Sequence, residues 1–209
     1  MNITKSLQEA KEKSKKRNFD QAMDVIINLT QIDLKNPENK FTEDIVLPAG
    51  KGKKVNVGII GNNLLLKGKD IADVLVNEKE LDAFGKNAKG QKALANSVDF
   101  LIAEAPFMPK IGKILGRALG SRGKMPKPLP PQADPTPIIK MLKKTVRIKL
   151  KESPVLQCSF GVESMKEEEL EKNFDIVISS ILKKLPSGKN NIKSVYIKTT
   201  MGRPIEVKV

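Results

Sequence analysis

The first readable pattern lies between residues 23 and 30. Met23, Val25, Ile27 and Leu29 alternate with Asp24, Asn28 and Thr30, which predicts a half-buried strand with one polar face. Ile26 interrupts that polar face. Residues 3–16 carry apolar side chains at helical spacing among lysines and predict an amphipathic helix. Asn36-Pro37-Glu38-Asn39 predicts a turn, and a second strand runs through Ile45-Val46-Leu47. It closes on Pro48-Ala49-Gly50-Lys51-Gly52, a flexible, basic connection suited to a hinge or domain boundary.

Beyond residue 54 the pattern changes to short, mostly apolar runs separated by helical segments. Val55 to Ile60, Val74 to Val76 and Val98 to Ala103 read as buried strands. Helices are expected near Lys67 to Ala72, around Leu81 and around Ala93-Leu94-Ala95. Such alternation implies parallel βαβ units in a Rossmann-like sheet. Gly112, Gly116, Gly120 and Gly123 punctuate a basic helix and loop, and the Pro-rich run from Met125 to Pro131 stops helix formation. A short helix from Pro137 to Lys144 completes the unit.

From Thr145 the opening pattern returns. Val146, Ile148 and Leu150 alternate with Arg147, Lys149 and Lys151, and another strand runs from Val155 to Phe160. Ser164-Met165-Lys166-Glu167 has the form of a capping box, followed by Leu170, Phe174, Val177, Ile181 and Leu185 at helical spacing. A terminal strand begins near Ser194 and breaks at Thr199-Thr200-Met201-Gly202. The predicted architecture is an α+β two-layer domain formed by both termini, residues 1–53 and 145–209. An α/β Rossmann-like three-layer domain, residues 54–144, interrupts it. Two crossing strands join such units, and a connection of this kind commonly permits relative motion.

Charge adds a partner to this picture. The 209 residues carry 38 Lys and Arg against 24 Asp and Glu, a formal net charge of +14. A polyanionic partner is favoured. Ala105 to Lys151 holds twelve bases and one acid, Asp134, whereas residues 152–185 hold seven acids and four bases. No apolar run approaches the roughly 20 residues of a spanning helix, so no membrane partner is expected. The N-terminus lacks the apolar core of a signal peptide, and one cysteine, Cys158, fits a reducing cytoplasm.

With no His and a single Cys, common zinc sites and His-dependent triads are unavailable, and neither metal nor cofactor is expected. The carboxylates Glu167, Glu168, Glu169 and Glu171 open a helix whose last turn carries Lys183 and Lys184, so helix electrostatics account for them. The Rossmann-like unit has no phosphate-binding fingerprint: Gly61-Asn62-Asn63-Leu64 follows its first strand, and Gly50-Lys51-Gly52-Lys53 lies on the wrong side. The later glycines suit either a backbone nest for phosphate or close helix packing.

The chemistry of the C-terminal break suits a polar polymer: small hydroxyls for ribose or phosphate, a methionine for a base face, and a glycine that removes bulk. Ser194, Tyr196, Lys198 and Thr200 share one strand face by period 2, and Asp24 lies on the polar face of its own strand. With seven Phe and one Tyr, a stacking platform for single strands is not expected, and shape and hydroxyl contacts should dominate. Phe19 is the one aromatic assigned to the interface, the alternative being a core Phe closing the helix against the sheet.

Four motifs occur in a telling order: Arg17-Asn18-Phe19; Leu47-Pro48-Ala49-Gly50-Lys51-Gly52-Lys53; Leu119-Gly120-Ser121-Arg122-Gly123-Lys124-Met125-Pro126; and Thr200-Met201-Gly202. In these the chain resembles the L-one family of large-subunit ribosomal proteins, in its archaeal type, over nearly its whole length. The resemblance implies a non-enzymatic cytoplasmic constituent of the ribosome, monomeric outside it. Such a protein binds large-subunit rRNA, forms the mobile stalk near the tRNA exit site and represses translation of its own mRNA through an rRNA-like structure. Carried over by position, the implied contacts are Phe19, Asp24, Ser194, Thr200, Met201 and Gly202; Lys198 and Thr199 of the same terminal strand join them as RNA-binding candidates, with Arg17, Asn18, Arg203, Arg122 and Lys124 as secondary candidates. Asn18 and Asp24 stand where bacterial members often carry Lys and Glu, and Ser121 replaces a frequent Pro. Arg203 is inserted before Pro204 and could add a phosphate contact. Two other classes stay open on residues alone: a nonspecific nucleic-acid binder and a nucleotide-dependent enzyme.

Overall fold

The computed structural model describes residues 3–85 and 87–207. The chain divides into two compact units, one of residues 1–53 and 144–209, the other of residues 54–143.

In the first unit, β1 (Ala22–Leu29) is central, paired antiparallel with β8 (Val155–Val162) on one side and β9 (Ile192–Thr199) on the other. A last strand, β10 (Ile205–Val207), adds to β9 and forms the sheet edge, beyond the strand expected to be terminal. Period 2 sorts the side chains. Met23, Val25, Ile27, Val195, Ile197, Leu156 and Phe160 enter the core with residues of α1 (Ile3–Glu12) and α7 (Glu167–Lys184). Phe160 and Phe174 meet edge to face at 5.8 Å, and truncating either to Ala should cost about 3–5 kcal/mol. The other face presents Asp24 opposite Lys198 and Ser159, Ile26 opposite Tyr196 and Gln157, and Asn28 opposite Ser194. Ile26 is half-buried there rather than in the core.

A two-stranded antiparallel sheet, β2 (Phe41–Val46) with β7 (Thr145–Leu150), joins the two halves of this unit. Arg147 locks it, its guanidinium donating to Asp44 at 2.6 and 3.1 Å. The Pro48–Gly52 connection is anchored, not loose. Asn173, buried on α7, donates to the Gly50 and Phe160 carbonyls at 2.9 and 2.8 Å and accepts from the Ala49 N–H at 3.2 Å. Gly52 lies at φ +73°, and a Cβ there would stand 2.4 Å from Val162 Cγ2, so only glycine fits.

Two further expectations need correction. The first helix stops at Glu12, not residue 16, because Ser14 and Lys15 accept hydrogen bonds from Gln21. The capping box does not form: Lys166 occupies the N-cap position without a side-chain bond. The Ser164 hydroxyl donates instead to Asp20 Oδ2 at 2.6 Å, and its N–H to Oδ1 at 3.2 Å. A carboxylate from a distant segment outcompetes the local cap, as charge-assisted bonds do.

The second unit has a four-stranded parallel sheet in the order β4 (Val74–Val76), β3 (Val57–Ile60), β5 (Phe100–Glu104), β6 (Lys127–Leu129). Ile60, Leu101 and Ala103 face one core with α3 (Glu78–Gly85), α4 (Ala88–Ser97) and α5 (Met108–Gly120). Val57, Ile59 and Ile102 face a second with α2 (Asn63–Gly68) and α6 (Thr136–Lys143). The Pro-rich run yields β6, at the sheet edge where proline is tolerated. Helix α2 begins several residues before the expected Lys67 because Glu104 supplies acceptors for its first turn: Oε1 takes the Asn62 and Leu64 N–H groups, each at 2.8 Å. Asp73 pairs with both ends of the unit, Lys54 at 3.0 Å and Lys143 at 3.4 Å, and accepts from the Val57 N–H. Burial would raise its pKa, but that N–H and the two ammonium groups outweigh burial and hold it below the ordinary carboxylate value.

Candidate nucleic-acid interface

The candidate residues of the first unit sit in two neighbourhoods. One is the turn after β9. The Thr200 N–H continues the ladder by donating to the Ala22 carbonyl at 3.0 Å, and Thr200 Oγ1 accepts from the Ala22 N–H at 3.0 Å. The hydroxyl donates in turn to the Ala22 carbonyl through a long bond of 3.4 Å, which leaves one lone pair on Oγ1. Met201 follows with its side chain 60% exposed. Gly202 closes the turn, its N–H donating to the Thr199 carbonyl at 3.1 Å. A Cβ on Gly202 would stand 2.3 Å from Thr199 Oγ1, so the glycine is required by close approach.

Thr199 departs from its expected role. It is fully buried, and its hydroxyl donates to Ser14 Oγ at 2.9 Å, so its side chain shapes the turn from beneath and offers a ligand nothing.

The strap leading into β1 lies against this turn through Gln21. The Gln21 amide oxygen accepts from the Met201 N–H at 3.2 Å. Two residues upstream Phe19 is 51% exposed, which removes it from the core. Arg17, Asn18 and Phe19 line a broad, shallow depression with Lys16, Asp20, Glu163 and Ser164. Arg203, just past Gly202, is exposed.

The second neighbourhood is the polar sheet face. Asp24, Ile26, Gln157, Ser159 and Lys198 rim a hollow floored by Cys158. Burial raises the Asp24 pKa, against the pull of Lys198, Lys53 and Lys51. Burial, with Asp24 adding to it, pushes the Cys158 thiol up to about 12, so it stays protonated and is a poor nucleophile. Further along, the Asn28 amide donates to Ser194 Oγ at 2.9 Å. Ser194 and Thr200 lie six residues apart on one strand direction, so the candidate surface extends about 20 Å.

The two secondary candidates in the second unit are engaged internally. Lys124 donates to the Ala95 and Val98 carbonyls at 3.0 and 2.7 Å, closing the end of α4, where a cation suits the helix dipole. Arg122 bonds Asn96 Oδ1 and the Ala118 carbonyl at 3.1 Å each. The switch point between β3 and β5, where parallel sheets take nucleotides, is occupied by the Glu104 carboxylate.

Gln21 was missed on sequence alone. It is completely buried, yet in Phe19-Asp20-Gln21-Ala22 nothing marks it, because its partners come from distant parts of the chain. The one available signal was a polar residue directly before an apolar strand.

Comparison with known proteins puts the chain among the structural proteins of the large ribosomal subunit. The model of the Ribosomal protein L1p/L10e family matches residues 10–203. The chain is 42% identical over 207 residues to a "Large ribosomal subunit protein uL1" of Methanothermobacter thermautotrophicus, covering 98% of each. It is 44% identical over 208 residues to the protein of the same name from Pyrococcus horikoshii, covering 99% of this chain and 95% of that one. With its counterpart from Thermoplasma volcanium the identity is 41% over 206 residues, covering 98% and 95%. The chain therefore belongs to the Ribosomal protein L1p/L10e family and is of the archaeal type. It is a structural protein of the large subunit and not an enzyme, and its place is the ribosome in the cytoplasm. Among the described residues no helix is long and apolar enough to cross a membrane.

Proposed function

We propose that the first unit binds large-subunit rRNA directly, through the Thr200–Gly202 turn and the strap carrying Arg17, Asn18 and Phe19, with Asp24, Ser194 and Lys198 as the flank along the sheet. The observation that carries this reading is that Met201 and Phe19 are both exposed, while buried Gln21, two residues after Phe19, accepts a hydrogen bond from the Met201 N–H. Exposed apolar side chains on a rigid, polar, base-flanked support suit the faces of unstacked bases, while the Thr200 hydroxyl suits a ribose 2′-OH. Raised Asp24 remains an acceptor once ionised and suits a base or ribose donor rather than a phosphate. Through this contact the protein forms the mobile stalk near the tRNA exit site and meets deacylated tRNA there. The same surface binds an rRNA-like structure in its own mRNA and represses translation.

The test is binding of the wild type, Thr200→Val, Met201→Gly and Phe19→Ala to fragments of large-subunit rRNA and to the leader of its own mRNA. A lost contact should cost on the order of 1–3 kcal/mol, about 5- to 150-fold in Kd, with no change in folding. Equal affinity of all four proteins would place the site elsewhere. Selectivity that vanishes at every salt concentration would favour nonspecific binding.

A further inference from the structure

Gln21 makes more connections than any structural filler needs. Its Nε2 stands 2.8 Å from Ser14 Oγ, 3.2 Å from the Lys15 carbonyl and 3.1 Å from Glu163 Oε2, and its two hydrogens are shared among them. Its Oε1 accepts from the Met201 N–H at 3.2 Å, and its backbone carbonyl accepts from the Glu163 N–H at 2.8 Å. One buried amide therefore ties the end of α1, the connection from β8 to α7 and the turn after β9 at a single point. The Met201 N–H bond is the only one of these that reaches the turn, and Met201 itself is largely exposed.

We infer that Gln21 is the positioning residue of the RNA interface: its amide holds the Met201–Gly202 turn at a fixed height against the Phe19 strap, so that RNA meets a preformed surface. This rests on the reading of that turn as the binding site. The amide is the one side-chain type that fits both tasks, since an acceptor must face Met201 and a donor must face Glu163 and the Lys15 carbonyl. Below it, Ser14 Oγ receives both Gln21 and Thr199, so the strap and the β9 end are referenced to one hydroxyl. A turn released from this point has to be ordered by the ligand, and the cost appears as faster dissociation.

The test uses the full chain and transcribed large-subunit rRNA in overlapping fragments. Gln21→Leu should bind about tenfold more weakly or worse, mainly through koff, with an unchanged salt slope because no phosphate contact is lost. Gln21→Glu keeps the acceptor for Met201 but sets a carboxylate against Glu163, and should weaken binding similarly. Adding Glu163→Gln to that variant returns a donor to the pair and should recover about half of the lost binding free energy, because the Lys15 carbonyl still faces a carboxylate. Hydrogen exchange separates positioning from plain destabilisation. The Met201 and Gly202 amides should lose protection while core amides of β1 and β9 keep theirs. If Gln21→Leu fails to fold, the paired substitution decides. Wild-type affinity in the Gln21 variants, alongside weakened Thr200→Val and Met201→Gly, overturns this inference alone. Wild-type affinity in all of them overturns the site and the inference together. Lost affinity without local loss of protection, or without rescue by Glu163→Gln, also overturns it.

Discussion

Gly202→Ala is expected to damage the turn through one identifiable collision. The new Cβ would lie 2.3 Å from Thr199 Oγ1 and 3.6 Å from Ser14 Cβ. The second distance is ordinary contact, so the whole conflict is with the Thr199 hydroxyl, which must recede by about 1 Å to reach normal separation. Thr199 is fully buried and bonded to Ser14 at 2.9 Å. If the hydroxyl yields, that buried bond breaks, costing about 1–3 kcal/mol. If the turn yields instead, the Gly202 N–H bond to Thr199 and the Met201 N–H bond to Gln21 stretch. Thermal or urea unfolding of wild type, Gly202→Ala, Thr199→Ala and the double variant forms a closed cycle. Thr199→Ala removes the obstructing oxygen, so Gly202→Ala should cost little in that background, giving a coupling of about 1 kcal/mol or more. Additive effects, or a Gly202→Ala cost within about 0.3 kcal/mol of zero, would refute the close-approach argument.

Three other outcomes follow from the geometry. Asp24→Asn should stabilise the protein at neutral pH, because a carboxyl with a raised folded pKa favours the folded state more as pH falls. The gain should vanish below the ordinary carboxylate range, as melting at pH 7 and pH 3 would show. Asp73 runs the other way: its depressed pKa contributes stability that is present above the ordinary carboxylate pKa and is lost as pH falls through the depressed value. Asp73→Ala should therefore destabilise by about 1–3 kcal/mol at pH 7 and by less in acid, read by urea unfolding. Glu104→Ala should cost about 2–3 kcal/mol, since it strands two N–H groups at the start of α2, and exchange of the Asn62 and Leu64 amides should report it.

What could be read from sequence follows the range of the interactions involved. The alternation in residues 23–30 specified both faces of β1, because a pleated strand exposes its burial pattern locally. The mostly apolar runs at 55–60 and 98–103 marked two of the parallel strands, β3 and β5, for the same reason. Failures came where a distant partner decided the matter. Asp20 captured Ser164 from across the chain and voided a local cap. Glu104 fixed where α2 begins, 40 residues before it. The edge strand Lys127–Leu129 carries a proline and too few residues for a periodic signal. At the candidate interface, exposure sorted the residues: Met201 and Phe19 face solvent, while Thr199, of the same type as Thr200, faces inward. Period 2 distinguishes these two threonines once the strand's buried face is known, but a motif comparison treats them alike.

The double ion pair at Asp73 has a consequence for how the chain folds. Strands β2 and β7 pair residues that flank roughly 90 intervening positions, and closing a loop of that length as flexible chain costs on the order of 4 kcal/mol in entropy. Lys54 and Lys143, the first and last residues of the intervening unit, both reach one carboxylate. Once that unit has formed, its ends are already together, and the remaining chain behaves as though joined by a short turn. Formation of the second unit should therefore precede registry of β2 with β7, and Asp73→Ala should slow the appearance of the Arg147–Asp44 pairing more than it slows folding of the parallel sheet.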